Sequence, residues 1–401
     1  MKTLSGPERD AVAHLLGAPS LERTIAWSRV NSGTYHIDGL ARVADLLADA
    51  FSALGHVELI AGDPVDRVTA DGRVEPIEHG KHLHLVVRRE APVQMLFTGH
   101  MDTVYPEDHP FQQVTTLADG RVNGPGVADM KGGLALLLAA LEAIEAVGVP
   151  ELGYEVLINS DEETGSLSSR NLIEASARGK LAALTYEPAL ADGTLAEARG
   201  GTGNFSLVVR GRSAHAGRNP EDGRNAVVAA ADLAVRLAAA KAPGLTVNPA
   251  RIEGGGPNNV VPDLAVLRIN FRPASHGAIA RAQATLDAAV AEVAAAHDVT
   301  VEVHGSFNRP PKPLDRGAER LLGLVRDAGD DLGLAIRWQA TGGVCDGNNI
   351  AACGVPVIDT MGARGGAIHS AEEFLIPDSL HERAALSALT ILRIAKGEFR
   401  P

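Results

Sequence analysis

Apolar residues along this chain switch repeatedly between helical and extended spacing, and the switches mark its elements. Ala, Leu, Val and Ile recur at helical spacing over residues 8–16 and 36–54. Residues 83–88 and 93–98 read as strands, separated by charged turn residues at Arg88, Arg89 and Glu90. A long Ala/Leu helix follows Gly132 and Gly133 and closes near Gly148 and Pro150. Then come a strand at 154–159, a helix at 166–177 and a short apolar strand at 181–186. Strands alternating with helices, several of them almost wholly apolar, predict an α/β fold with a mostly parallel sheet covered on both faces.

Near Gly200, Gly201 and Gly203 the order changes to strand (204–210), helix (221–241), two strands (245–253 and 261–272), helix (276–297) and strand (299–304). This βαββαβ order predicts a ferredoxin-like module inserted in the chain. After Pro310, Pro311 and Pro313 the alternation resumes: helix 315–330, strand 334–338, a Gly-rich loop at 341–347, strand 355–358, a loop at 362–368 and a last helix at 378–396. Residues 1–199 and 310–401 are expected to form one α/β domain and residues 200–309 a second. A length of 401 residues agrees with two cores rather than one.

Composition narrows the partners. A chain 45% hydrophobic and 22% charged is globular rather than disordered. Its formal charge of −13 argues against nucleic acid or an anionic membrane as partner. The first ten residues carry no apolar signal-peptide core, and no stretch is apolar enough to span a bilayer. With two cysteines, Cys345 and Cys353, and no disulfide framework, a cytoplasmic protein is expected.

Five scattered clusters carry the chemistry. His100 and Asp102 follow the strand at 93–98, Glu162 and Glu163 follow the strand at 154–159, and Glu187 ends the strand at 181–186. In an open α/β sheet the carboxyl ends of strands share one rim, so residues distant in sequence converge there. Asp129 sits in a Gly-rich loop just before a helix, and His369 follows another Gly-rich loop. Any one of these acids alone is more often a solvated surface group; five such clusters at strand ends and loops match what two zinc-type ions need. Asp129 is the candidate bridge, His100 with Glu187 and His369 with Glu163 complete the two sites, and Glu162 and Glu163 divide the roles of base and ligand. Asp102 is placed to accept the second N–H of His100. His82 and His84 alternate along one strand and read as a sheet face. No G-x-G-x-x-G opens a helix after the first strands, which counts against a nucleotide-binding enzyme.

In order and content these residues resemble the M20 metallopeptidases: His100-Met-Asp102-Thr-Val, Gly126-Val-Ala-Asp129-Met-Lys-Gly-Gly, Asp161-Glu162-Glu163-Thr-Gly-Ser, Glu187-Pro and His369-Ser. The resemblance covers residues from about 95 to 375. It implies His100, Asp129, Glu163, Glu187 and His369 as ligands of two divalent ions (zinc first, cobalt or manganese next), Glu162 as general base and Asp102 as the orienting acid. A glutamate at position 187 is similar to the carboxypeptidase and deacylase members. The inserted module resembles the family's lid and dimerisation domain, so a homodimer is expected. His215, in Ser213-Ala-His-Ala-Gly217, would reach the partner's site as an oxyanion donor. Asn259 and Arg272 are similar to the family's contacts to a substrate carboxylate, and Arg309 is a weaker candidate for the same task. Val344 and Cys345 depart from the family's usual Gly/Ser/Thr in the loop Gly342–Asn348. The implied enzyme cleaves the amide bond of an N-acyl amino acid or short peptide with a free carboxylate. A glutamate-carboxypeptidase-like activity comes first, and a deacylase of the acetylornithine or succinyl-diaminopimelate type is the alternative.

Overall fold

The computed structural model describes residues 4–401. A six-stranded sheet runs in the order 57–60, 82–87, 152–159, 93–100, 182–185, 357–358. Its first two pairings are antiparallel and the last three parallel, so the sheet is mixed. The three parallel neighbours Leu152–Asn159, Val93–His100 and Ala182–Thr185 form its centre.

Over residues 132–141 helix Gly132–Val147 is apolar around its whole circumference and buried on every side; Glu142 and Glu145 face outward only in its last turns. It packs against the helices Gly6–Leu15, Ser20–Ser28 and Asp378–Ala395. Gly132 and Gly133 permit its close start: a Cβ on Gly133 would collide with the carbonyl oxygen of Tyr186, the residue before Glu187. Gly133→Ala is expected to destabilise the chain by about 1–3 kcal/mol, the usual cost of overpacking, despite alanine's better helix propensity. A urea midpoint equal to or above that of the parent chain would show that this approach is not tight.

The terminal helices are tied by Arg393, whose Nε lies 3.0 Å from Glu8 Oε1 and whose Nη2 lies 2.8 Å from Asp331 Oδ2. Burial alone would raise the Glu8 carboxyl, but hydrogen bonds from Ser5 and Arg393 outweigh it and hold it down to about 2. A depressed folded-state pKa gives stability that is full above the ordinary value of 4.5 and is lost as pH falls towards 2. Glu8→Gln is accordingly expected to lower the melting temperature at pH 7, with the difference closing between pH 4.5 and 2. A difference independent of pH would assign the loss to packing.

A second, four-stranded antiparallel sheet has the order 245–254, 264–273, 202–210, 300–309, with helices Ala226–Ala238 and His276–His297 on one face. On its other face sits a hairpin from the first part of the chain, Val65–Val68 with Val74–Ile77. Val68 joins Val208 and Val266, and Arg268 Nη2 and Arg210 Nη2 donate to the carbonyls of Val68 and Gly72, both at 2.7 Å.

Several elements differ from the sequence expectation. The helix expected from 221 begins at Ala226, because Pro220 and Gly223 occupy a turn. The strand expected at 334–338 is Trp338–Thr341, paired in parallel with Leu195–Arg199. The Gly-rich loop at 341–347 gives way to a helix, Asp346–Ala352, whose Cys345 amide donates to Asn348 Oδ1. A five-stranded sheet of two- and three-residue strands escapes the periodicity entirely. No helix among the described residues is long and apolar enough to cross a membrane.

Candidate metal centre

Three central parallel strands point their carboxyl ends at one rim, and this places the acids. His100 is the last residue of its strand, Glu162 and Glu163 lie three and four residues past Asn159, and Glu187 lies two past Thr185. Asp129 sits in a wide turn, 127–131, that leads into the buried helix. That turn is gripped by Glu373, which accepts the backbone N–H groups of Gly126, Ala128 and Asp129 at 3.2, 3.0 and 3.1 Å. Glu373 was not singled out in the sequence; its signal is the Glu372-Glu373 doublet just after His369.

The two carboxylate oxygens of Asp129 face different imidazoles. Oδ1 is 3.1 Å from His100 Nε2, and Oδ2 is 3.3 Å from His369 Nε2. His100 Nε2 is also 3.8 Å from Glu187 Oε2, and His369 Nε2 is 3.2 Å from Glu163 Oε2. Two donor groups result, His100–Asp129–Glu187 and Asp129–Glu163–His369, each with its atoms within 4.8 Å of one another. Four-coordinate zinc with ligands at 2.0–2.1 Å sets neighbouring donors about 3.3 Å apart, so this spacing fits an ion in each group. Glu187 Oε1 is buried without a hydrogen-bond partner among the described residues, as a donor reserved for a cation would be.

Asp102 organises this rim. Its backbone carbonyl lies 3.0 Å and its Oδ1 3.3 Å from His100 Nδ1, which directs the Nε2 lone pair to the cluster. The same carboxylate accepts from Thr34 Oγ1 at 2.8 Å and from the backbone amides of Glu162 and Glu163, both at 3.2 Å.

Burial pushes the Glu162 carboxyl up to about 7 against the pull of Arg309, and pushes Glu163 up to about 8 with Asp129 adding to it. Glu187 is raised, again by burial first. His369 is held up to about 10 by Asp129 and Glu163. Four largely buried carboxylates crowd around one buried imidazole, His100, and one exposed one, His369, an imbalance that divalent cations relieve.

A cavity of about 280 Å³ opens on the cluster, lined by Asp129, Glu162, Arg199, Thr341, Cys345 and Ile368 among others. Arg199, which the sequence reading passed over, is locked by Asp359 through Nε at 2.8 Å and Nη2 at 3.1 Å.

Three of the remaining candidates, His215, Asn259 and Arg272, stand apart from the cluster within one chain. His215 is exposed, its Nδ1 accepting from Gly217 N at 3.1 Å, and Ala216 N donates to Asn259 O at 2.9 Å, so these two residues share one loop pair. Neither lines the metal cavity. Arg272 is exposed, with Nε 2.9 Å from Asn270 Oδ1, and lines a neighbouring cleft with Gly200, Thr341 and Gly342. Arg309 is 4% exposed and pairs with buried acids, its Nη2 lying 2.8 Å from Glu162 Oε1 and 3.2 Å from Asp346 Oδ1.

The model of peptidase family M20/M25/M40 matches residues 96–393, and the chain belongs to that family. It is 29% identical over 378 residues to carboxypeptidase G2 of Pseudomonas sp. (strain RS-16), covering 92% of this chain and 88% of that one. It is 26% identical over 356 residues to succinyl-diaminopimelate desuccinylase of Verminephrobacter eiseniae (strain EF01-2), covering 83% and 86%. Among solved structures, the YXEP protein of Bacillus subtilis, described as a dinuclear metal-binding peptidase from the M20 family, shares the fold with a TM-score of 0.66. Sequence identity there is 15%, over 96% of this chain and 99% of that one. The chain is thus an M20-family peptidase or amidohydrolase, an enzyme.

Proposed function

We infer that the protein is a di-zinc amide hydrolase that cleaves N-acyl amino acids or short peptides with a free carboxylate. A carboxypeptidase-like release of the terminal amino acid comes first; the likeness to carboxypeptidase G2 over most of both chains supports it. The observation that carries the reading is Asp129, with one oxygen towards each imidazole and Glu162 alongside. His100, Asp129 and Glu187 would hold one ion, and Asp129, Glu163 and His369 the other. When bound, the pair supplies acidification of a water and polarisation of the scissile carbonyl. Glu162, its Oε1 held by Arg309, would serve as the base that moves a proton from the attacking water to the leaving amine.

The second reading, a deacylase, draws on the desuccinylase likeness. Both readings take a carboxylate-bearing substrate, for which Arg272 is the proposed contact. A homodimer is part of the proposal: His215 and Asn259 lie away from the cavity of their own chain, and a second copy would bring them in. Val228 and Val235 on helix Ala226–Ala238 are 51% and 70% exposed, apolar surface that suits such an interface. The unpaired thiols of Cys345 and Cys353 suit a reducing, cytoplasmic setting.

The test is a screen of the zinc-loaded protein against N-acyl amino acids varied separately at the acyl and amino-acid ends, each with its C-terminal amide. Hydrolysis of acids over amides is expected, with Arg272→Ala raising KM for the acids by about 10-fold or more, the loss typical of a charged contact. Equal turnover of acids and amides would count against carboxylate recognition.

A further inference from the structure

Two segments join the parts of the chain on either side of Gly200 and Pro310, and they run as a pair: Arg199 N donates to Lys312 O at 2.9 Å and Lys312 N to Arg199 O at 3.0 Å. The motif Asp346-Gly-Asn-Asn349 is spent on this hinge. Asn348 Nδ2 donates to the carbonyls of Gly200 and Pro310 at 2.8 and 2.7 Å, and Asn349 Nδ2 donates to Asn308 O at 3.0 Å. Asn308 in turn donates through Nδ2 to Gly165 O at 3.0 Å. All three side chains, Asp346, Asn348 and Asn349, are buried.

Arg309 stands at the end of strand Thr300–Arg309, where the four-stranded sheet passes into this hinge. Its Nη2 alone reaches Glu162 Oε1 at 2.8 Å, Glu162 O at 3.0 Å, Ser166 Oγ at 2.8 Å and Asp346 Oδ1 at 3.2 Å. Asp346 is itself hydrogen-bonded to Asn159 and Ser166, so the arginine is braced from behind. Glu162 is thereby held at both its main chain and its carboxylate by a residue of the second sheet.

We propose that Arg309 is a positioning residue: it fixes the Glu162 carboxylate against the cavity and makes the orientation of that carboxylate depend on the hinge. This rests on the role of Glu162 inferred above. A guanidinium braced by Asp346 has little freedom, so Glu162 Oε1 is held while the residue still lines the cavity. A general base gains from such fixing because proton transfer needs hydrogen-bond reach and a held direction. Substrate need not touch Arg309, which is what separates this role from the carboxylate-binding one expected from sequence.

The experiment is a double-mutant cycle on the zinc-loaded full chain, with Arg309→Met, Glu162→Gln and the pair together. The readouts are zinc content, kcat and KM on the best substrate from the screen. Arg309→Met is expected to keep its zinc and its KM within about threefold and to lower kcat by about 10- to 100-fold, in the range of coupling between contacting groups. The double variant should be no slower than Glu162→Gln alone. Arg309→Lys should recover part of the loss, because it restores charge without the planar fork. If the Met variant does not fold, the Lys variant carries the same cycle. A kcat loss repeated in the Glu162→Gln background, or a raised KM with kcat kept, overturns the positioning role while leaving the hydrolase reading intact. A zinc-loaded parent chain that hydrolyses none of the substrates sinks that reading first and this role with it.

Discussion

Glu162→Gln is expected to keep both metal ions and to lose about 10²- to 10⁴-fold in kcat, the usual contribution of a positioned base. The substitution keeps shape and removes only proton-accepting capacity. Glu162 is not in either donor group, its Oε1 is already held by Arg309, and its backbone amide is anchored on Asp102. Metal content therefore has no reason to change. Elemental analysis beside steady-state kinetics checks this. Retained activity would remove Glu162 as the base, and lost metal would make it a ligand.

Asp129→Ala should have the opposite signature. Both donor groups share this residue, one oxygen each, so its removal takes a ligand from both ions at once. Zinc should fall from about two ions per chain towards none, and activity by more than about 100-fold, beyond the 10- to 100-fold cost of losing an outer-shell support. Asp102→Asn is the internal comparison: it touches His100 only through Nδ1 and should stay within that smaller range. His369→Ala should release the ion on its own side first, since His369 is the exposed imidazole of the two. If Asp129→Ala retained one ion at parental affinity, the bridging role would be wrong.

How much of this was legible in the sequence follows from what each feature depends on. The three central strands and the buried helix after Gly133 show plainly, because long apolar runs admit few other readings. The residues of both donor groups were legible for a related reason: each follows a strand or a glycine turn, and strand ends share one rim. Short strands such as Arg364–Gly366 and Phe374–Leu375 carry no period and were invisible. The roles of buried polar residues were the least accessible. Arg309 reads as a weaker candidate for a substrate carboxylate until the fold sets Glu162 and Asp346 against it. Asn348 and Asn349 read as loop residues until the hinge passes beside them. Glu373 needed the Asp129 turn to have three amides to offer. In each case a tertiary partner more than 30 positions away decides the role, and local pattern has no access to that.

Anomalous diffraction from zinc-loaded crystals bears most directly on the metal centre. Two peaks about 3.5–4 Å apart are expected, the spacing of co-catalytic pairs. One should lie among His100, Asp129 and Glu187 and the other among Asp129, Glu163 and His369. A single peak, or zinc bound elsewhere with these side chains paired only to each other, would contradict the di-metal hydrolase.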